Sequence, residues 1–400
     1  MKPGVPTQKS GYDYDVVIAG TGCAGLSLAV RLARSEALSS WNILLIDQQK
    51  KNGNDRTWCF WEAGRGYFES IVRHRWSLAD VMTADAHIHL HFDPYEYKMI
   101  RSGDFYAYCK QILQQAREQN PSRKIDIWYE PVTKILDKET HAEVHTSHHT
   151  IRCRFTFSSL PRNIPQDKPV HFLWQHFQGW LIRAVTPVFD ASRMVLMDFR
   201  VPQQQATAFM YVLPVNTHEA LIEYTVFSKQ LLPPEVYEAC IQQYIQKNYP
   251  DLCYDILEKE QGKIPMTDYI FPQTDKHVIY IGTSGGQTKG STGYTFSFIQ
   301  QHSETILHAL EQGNSPNTSH HPRKNFYRYY DRLLLHVLSE SLYPGDKLFA
   351  DLFDKNPTDK VIRFLIEQSS FGEDISIILS LPKKPFLKAA LDTWKENSNR

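Results

Sequence analysis

A glycine-rich turn near the start of the chain constrains the fold more than any other segment. Residues 14–20 (YDVVIAG) form a short β-branched run that predicts a buried parallel strand. Gly20, Gly22 and Gly25 follow with the spacing GxGxxG, and apolar residues at helical spacing continue after them. Residues 42–47 (NILLID) predict a second strand, so the whole segment predicts one βαβ unit.

The residues of this motif suit a dinucleotide. Gly20 permits the tight turn, Gly22 lets the backbone approach a pyrophosphate, and Gly25 lets the helix pack against the strand. The helix N-terminus, with Ala24 in its first turn, offers free N–H groups and a partial positive charge to phosphates. Asp47 lies about 20 residues beyond the last glycine, where an acidic side chain accepts hydrogen bonds from ribose hydroxyls.

A second glycine-rich strand end occurs far along the chain. Residues 277–282 (HVIYIG) predict a strand, and residues 292–311 predict a helix behind it. We expect Gly282, Gly285 and Gly286 to bring backbone amides to a flavin or its phosphates; an ordinary turn is the alternative. This recurrence, and the position of the first motif at the N-terminus, favour FAD over NAD.

The remaining pattern predicts an α/β protein whose Rossmann-like FAD-binding domain contains an inserted β-rich domain. Strands are expected over 170–182, 194–199, 208–213 and 220–227, and a helix over 233–249. The tail over 325–391 is expected to be mostly helical, with breaks near Pro344 and Pro357. We divide the chain into the first part of the FAD-binding domain (12–165), a β-rich substrate domain (166–262), the second part of the FAD-binding domain (263–312) and a C-terminal helical region (313–400).

Charge and hydropathy exclude several classes of function. Lys+Arg and Asp+Glu both number 44, so no overall basic field attracts nucleic acid. No run of about 18 apolar residues predicts a transmembrane helix, and the polar N-terminus lacks the apolar core of a signal peptide. The sequence therefore predicts a cytoplasmic protein.

A group of three histidines does not by itself predict a metal site. His87, His89 and His91 alternate, so a strand would place all three on one face. No acidic residue or cysteine lies at ligand spacing beside them in the sequence, and the expectation is that the protein holds no metal.

Residues 55–61 (DRTWCFW) resemble the lycopene cyclases of bacterial carotenoid synthesis. The resemblance runs from about residue 14 to about residue 300, and the C-terminal hundred residues add little to it. Further similar segments occur in the same order along the chain: 175–180 (QHFQGW), 197–200 (MDFR), 210–214 (MYVLP), 221–225 (LIEYT), 264–267 (IPMT) and 290–294 (GSTGY).

The resemblance implies a flavin-dependent lycopene β-cyclase with the fold of geranylgeranyl reductases and aromatic hydroxylases. Such an enzyme closes β-ionone rings at the linear ends of lycopene, giving β-carotene through γ-carotene. It uses reduced FAD, with NAD(P)H as the reductant, but catalyses no net oxidation or reduction. Because lycopene dissolves only in lipid and the chain has no spanning segment, the enzyme is expected at the membrane surface.

Two other classes of function stay open. One is a polyprenyl reductase or monooxygenase of the same fold, which would consume NAD(P)H stoichiometrically. The other is a flavin-binding module without catalysis. The ring isomer, the number of ends that are cyclised, the base and the oligomeric state also stay open.

Glu223 is the expected general acid for ring closure. It lies in a run, 220–227, whose two strand faces are both largely apolar, and a desolvated carboxyl keeps its proton. Its position matches the acid of the family. The second acid that often follows in the family is Tyr224 here. Asp198 is either a second acid/base or a hydrogen-bond acceptor at a strand end.

Aromatic and basic residues complete the predicted site. Aromatic ring faces attract positive charge, so aromatic side chains could stabilise a carbocation, although each could equally be a core residue. Arg56 and Arg101 could orient or balance the flavin, with a solvated surface position as the alternative for each. The aromatic candidates are Trp58, Phe60, Trp61, Trp174 and Trp180.

Overall fold

A computed structural model describes residues 11–164, 170–203, 206–271, 276–317 and 323–398. Strands and helices together give the predicted α/β class. The strands are β1 (Tyr14–Ala19), β2 (Ile43–Asp47), β3 (Thr57–Ala63), β4 (His74–Trp76), β5 (Leu78–Met82), β6 (His87–His91), β7 (Tyr95–Arg101), β8 (Ile125–Tyr129), β9 (Val132–Asp137), β10 (Ala142–Thr146), β11 (Thr150–Ser158), β12 (Phe172–Ala184), β13 (Arg193–Asp198), β14 (Thr207–Pro214), β15 (Glu219–Ser228), β16 (Tyr254–Thr267) and β17 (Val278–Tyr280). The helices are α1 (Cys23–Arg34), α2 (Ser102–Gln119), α3 (Pro234–Asn248), α4 (Phe296–Glu311), α5 (Lys324–Ser339), α6 (Gly345–Asp354), α7 (Thr358–Leu365), α8 (Phe371–Ser380) and α9 (Lys383–Ser398).

The first sheet contains the predicted βαβ unit. Its strand order is β8-β2-β1-β11-β10-β9, and β17 also pairs with β11. Strands β8, β2, β1, β11 and β17 run parallel, whereas β9 and β10 form an antiparallel extension. Strands β1 and β2 are buried along nearly their whole length because α1, α2 and α4 cover one face of the sheet and a second apolar cluster, with residues of β9, β10 and β11, covers the other. This burial explains why both strands are continuous apolar runs.

The second sheet is mostly antiparallel and has the order β16-β12-β15-β14-β13-β5-β6. Helix α3 packs on one face, where its residues join a core with β12, β14 and β15. The opposite face forms a second core with β3, β7 and helices α5 to α8. A small third sheet, β3-β7-β4, lies beside it.

The structure departs from the predicted division into domains. Strands β5 and β6, assigned to the first part of the FAD-binding domain, pair instead within the second sheet. Strand β16 runs through the boundary predicted at residue 262. The boundary predicted between residues 165 and 166 lies outside the described residues. Strand β16 was not predicted because it is an edge strand that is polar on much of both faces, so apolar alternation is absent.

The C-terminal helices are joined to the rest of the protein by a buried ion cluster. The ammonium group of Lys289 lies 2.8 Å from the carboxylate of Asp331 in α5 and 3.2 Å from that of Glu367. Ser291 also donates a hydrogen bond to Asp331, at 2.6 Å. These contacts fix the segment 289–294 against the helical region. Within the described part of the chain, no helix combines the length and the apolar character needed to cross a bilayer.

Candidate active site

A cavity of about 1570 Å³ lies between the first and second sheets. The N-terminus of α1 lines it through Gly22, Cys23 and Ala24, and the turn after β17 lines it through residues 282–284. Strands β12, β14, β15 and β16 of the second sheet supply the opposite wall. The cavity therefore brings the glycine motifs of one sheet and the predicted acid of the other together.

The first glycine motif has the geometry that its sequence predicts. Gly20 has φ +97°, a conformation that favours glycine, and a Cβ on Gly25 would lie 1.9 Å from the Gly20 carbonyl oxygen. By contrast, a Cβ on Gly22 would meet no atom within 4 Å, because Gly22 faces the cavity. The first turn of α1 contains no acidic residue and no side chain caps it. Free N–H groups and the positive end of the helix thus point toward the cavity.

Asp47 lies directly beneath this turn. One carboxylate oxygen accepts hydrogen bonds from the Thr21 backbone N–H at 2.7 Å and from the Thr21 hydroxyl at 2.9 Å. The other oxygen accepts a bond from the Gln49 N–H at 3.1 Å. Asp47 therefore anchors the glycine turn, and its contact with a ribose stays a prediction.

Only part of the second glycine cluster reaches the cavity. Gly282 has φ +66° and lines the cavity, whereas Gly285 and Gly286 are absent from its wall. A Cβ on Gly285 would lie 2.2 Å from the Tyr280 carbonyl oxygen, and Gly286, with φ +75°, ends the turn. These two glycines shape the turn that positions Gly282.

Glu223 faces the cavity from the middle of β15. The Thr225 hydroxyl donates a hydrogen bond to its Oε1 at 2.8 Å. Burial, and then the negative charge of nearby Glu260, raise the pKa of Glu223 to about 8. A carboxyl in this setting carries a proton at neutral pH, as a general acid must.

Glu260 is a cavity residue that the sequence did not reveal. Its strand, β16, was not predicted, and its polar neighbours gave no sign of burial. In the structure, Glu260 accepts a hydrogen bond from the Thr57 hydroxyl at 2.7 Å. Burial raises the pKa of Glu260, while the Thr57 hydrogen bond and the positive charge of Arg56 oppose that rise.

Two of the five predicted aromatic residues line the cavity. Trp58 and Trp174 do, and the ammonium group of Lys263 lies 5.1 Å from the ring centroid of Trp174. Phe60 instead stacks on Phe296 in the core between the first sheet and its helices. Trp61 and Trp180 are almost fully buried in the two cores of the second sheet and do not line the cavity. The sequence missed other aromatic residues of the wall, which include Tyr97, Phe172, Phe177, Tyr211, Phe271, Tyr294 and Phe296.

The structure does not bring Asp198 or Arg101 to the cavity. Asp198 is fully buried, and its carboxylate accepts hydrogen bonds from Arg200 at 2.7 Å and from the Tyr244 hydroxyl at 2.9 Å. In the structure it accepts these hydrogen bonds at the end of β13, away from the cavity. Arg101 forms an ion pair with Glu258 beside a separate cavity of about 250 Å³.

Arg56 does line the main cavity. Its guanidinium group donates hydrogen bonds to the backbone carbonyls of Asp55 at 2.6 Å and Gln261 at 3.4 Å. It thereby holds the segment before β3 against β16, close to Glu260.

The histidine cluster has the acidic neighbour that the sequence did not show. Asp80, on the adjacent strand β5, lies 2.7 Å from His89 Nδ1 and 3.5 Å from His87 Nε2. The three side chains have ligand atoms close enough to share a metal ion. However, the Arg193 guanidinium donates a hydrogen bond to the same Asp80 oxygen at 2.9 Å, which supplies a positive charge there already.

Comparison with known proteins identifies a family. The family model described as "Lycopene cyclase protein" matches residues 15–391, so the similarity extends well beyond residue 300 into the C-terminal helices. A lycopene beta-cyclase of Pantoea ananas is 24% identical over 391 residues, which cover 94% of this chain and 97% of the relative.

Solved structures show the same fold at low identity. A geranylgeranyl bacteriochlorophyll reductase-like protein from Thermoplasma acidophilum has a TM-score of 0.61 and 14% identity, covering 94% of this chain and 98% of that one. A variant of the halogenase PltM in complex with FAD has a TM-score of 0.54 and 12% identity, and the match covers 92% of this chain and 82% of that one.

Proposed function

The chain belongs to the lycopene cyclase family, and we propose that it is a lycopene β-cyclase that closes rings by proton transfer from Glu223. One observation carries this proposal. A carboxyl that keeps its proton at neutral pH and the open N-terminus of α1 face the same aromatic-lined cavity. That combination suits an acid-initiated reaction on a hydrocarbon beside a bound dinucleotide.

The residues on the α1 side of the cavity fit FAD. Gly22 leaves open space where a side chain would stand, and the uncapped helix end beside it suits a pyrophosphate. Gly22, Ala24 and Gly282 would hold the cofactor through their backbones. Farther along the cavity, Gln175 Oε1 is buried with no hydrogen-bond partner among the described residues, as expected of a group that meets a polar ligand. When bound and reduced by NAD(P)H, the flavin supplies an electron-rich surface beside the substrate.

Glu223 starts the reaction by protonating a terminal trisubstituted alkene of lycopene. The proton passes from the carboxyl oxygen to the alkene carbon, the π bond breaks, and a tertiary carbocation forms. A neighbouring double bond attacks the cation to form the ring carbon–carbon bond, and a base then removes a proton. Substrate and product have the same formula, so no electrons are consumed.

The cavity wall stabilises the cation and excludes water. Trp58 and Trp174 line the cavity, and Tyr97 and Tyr211 lie near Glu223. Aromatic faces attract a cation by about 0.5–2 kcal/mol each, and more where water is excluded. A dry cavity also prevents water from capturing the cation to give an alcohol.

The C-terminal helices supply a surface suited to a bilayer. Leu387, Leu391 and Trp394 lie on one face of α9 and are 63%, 59% and 66% exposed. Exposed lysines, including Lys384 and Lys388, flank that face. Apolar side chains beside lysines bind the headgroup region of anionic membranes, and the hydrocarbon core beneath that region dissolves lycopene.

Expression in a lycopene-accumulating bacterial strain tests the proposed activity. Pigment chromatography should show β-carotene with the wild-type gene and unchanged lycopene with the Glu223→Gln variant. Lycopene persisting in the wild-type strain, despite flavin-loaded protein, would refute the proposed function.

The reductase and monooxygenase alternatives are separated by electron stoichiometry. Under anaerobic conditions, enzyme reduced once should complete many turnovers, because the product is an isomer of the substrate. One product per reducing equivalent would instead support a reductase.

A further inference from the structure

Glu223 and Glu260 face each other across a glycine in the second sheet. In the strand register, Gly179 of β12 pairs with Glu223 of β15 on one side and with Glu260 of β16 on the other. A Cβ on Gly179 would lie 3.0 Å from Leu221 Cδ1, 3.3 Å from Glu260 Cγ and 3.4 Å from Glu223 Cβ. With no side chain on Gly179, the side chains of Glu223 and Glu260 border the same open position on the cavity wall, beside Leu221.

The two carboxyl groups have unequal surroundings. Glu260 accepts the hydrogen bond from Thr57 and lies near the guanidinium group of Arg56, both of which favour its ionised form. Glu223 accepts one hydrogen bond, from Thr225, and burial dominates its environment. When the pair holds a single proton, these contacts place the proton on Glu223 and the charge on Glu260.

We propose that Glu260 is a positioning residue whose negative charge keeps Glu223 protonated and ready to act as the acid. The catalytic role of Glu260 rests on the proposed function, whereas its effect on the protonation of Glu223 rests on the geometry of the pair. A carboxylate close to a second carboxyl makes loss of the second proton unfavourable, because two like charges would then share one desolvated site.

The other ionisable groups that interact with Glu223 carry no negative charge. Cys59 of β3, Tyr97 of β7 and Tyr211 of β14 interact with it, and burial raises the pKa of all three well above their usual values. They are therefore neutral over the range in which Glu223 titrates. Arg56 lowers the pKa of Glu260, whereas the negative charge of Glu258 raises it.

Tyr224 cannot provide the second acid that often follows the catalytic Glu in the family. Neighbouring residues on a strand point to opposite faces, and Tyr224 is buried in the core beneath α3. Its hydroxyl donates a hydrogen bond to the Pro202 carbonyl at 3.4 Å. The second carboxyl of this site comes instead from another strand, through Glu260.

The test is the pH profile of cyclisation by the Glu260→Gln variant. Glutamine can still accept the Thr57 hydrogen bond but carries no charge. The rate should fall with rising pH as Glu223 loses its proton, and in the variant this fall should occur roughly 1 pH unit lower than in wild type. At pH 8 the variant should be about fivefold slower, whereas at pH 6 the two rates should match within about twofold. The Glu260→Asp variant, which keeps the charge, should restore most of the wild-type profile.

A matched control and a direct titration make the result decisive. Glu238→Gln makes the same chemical change in α3, on the opposite face of the sheet, where Glu238 pairs with Lys259, and should leave the profile unchanged. Infrared titration of the protonated carboxyl in apoprotein should show the same downward shift in Glu260→Gln, even if no substrate is turned over.

Two outcomes would overturn the inference. One is an unchanged infrared titration in Glu260→Gln. The other is loss of activity at every pH, which would make Glu260 a group that reacts with substrate. Wild-type protein without cyclase activity would refute the proposed function alone, since the infrared titration would still report on the pair.

Discussion

Replacing Glu223 by Gln should abolish cyclisation without preventing the protein from folding. Glutamine keeps the size and polarity of the side chain, and it can still accept the Thr225 hydrogen bond, but it cannot deliver a proton. General acid catalysis is typically worth about 10²–10⁴-fold, and protonation of an alkene should lie at the upper end or beyond. The variant should therefore fold, bind FAD and lose cyclisation.

The same substitution should make the protein more stable at alkaline pH. Burial and the negative charge of Glu260 raise the pKa of Glu223 from an ordinary value of 4.5 to about 8, so the folded protein holds this proton where the unfolded chain has released it. The unfolded state binds fewer protons in this window, and stability falls as the pH rises from about 4.5 to about 8. Between pH 5 and pH 8 the wild type should lose roughly 3 kcal/mol that Glu223→Gln retains.

Urea unfolding of the apoprotein at several pH values measures this difference. The two proteins should have similar free energies of unfolding near pH 5 and should diverge steadily as the pH increases. Glu238→Gln, at a partly exposed carboxylate in α3, should follow the wild type. Parallel curves for wild type and Glu223→Gln would show that Glu223 is ionised in the folded protein, and the reasoning about its acidity would then be wrong.

Three further predictions concern the cofactor, the ion cluster and the membrane. Gly22→Val should give folded but colourless protein because the valine side chain enters the cavity, whereas Gly25→Ala should disturb the fold because its Cβ would meet the backbone. Flavin absorbance and circular dichroism distinguish these two effects. Yellow Gly22→Val protein would contradict the assignment of the cofactor site. Lys289→Met leaves the carboxylates of the ion cluster without their cation, so it should lower the free energy of unfolding by about 3–5 kcal/mol in urea unfolding. A loss below about 1 kcal/mol would contradict this prediction. The double variant Leu387→Glu, Leu391→Glu should reduce flotation with anionic liposomes while leaving the flavin spectrum intact, and undiminished flotation would move the membrane surface elsewhere.

The sequence correctly predicted those strands and helices whose formation depends on residues close together in the chain. The βαβ unit was predicted to within a few residues because its strands are apolar runs and its turn needs glycine at Gly20 and Gly25. The strand carrying Glu223 was also predicted, because the residues around it are apolar on both faces. Short-range chemistry thus identified both walls of the cavity, one through its glycines and one through its acid.

Only the tertiary structure decided which side chains meet. Glu260 was missed because its neighbours along β16 are polar, and its importance arises from pairing across Gly179 with a strand far away in sequence. Asp198 and Trp180 looked suitable by residue type, yet each lies in a core away from the cavity. Strand order and register are set by contacts between distant segments, and a shift of one residue moves every side chain of a strand to the other face. The sequence therefore determined which chemical groups were available, and the pairing of strands determined which of them share a cavity.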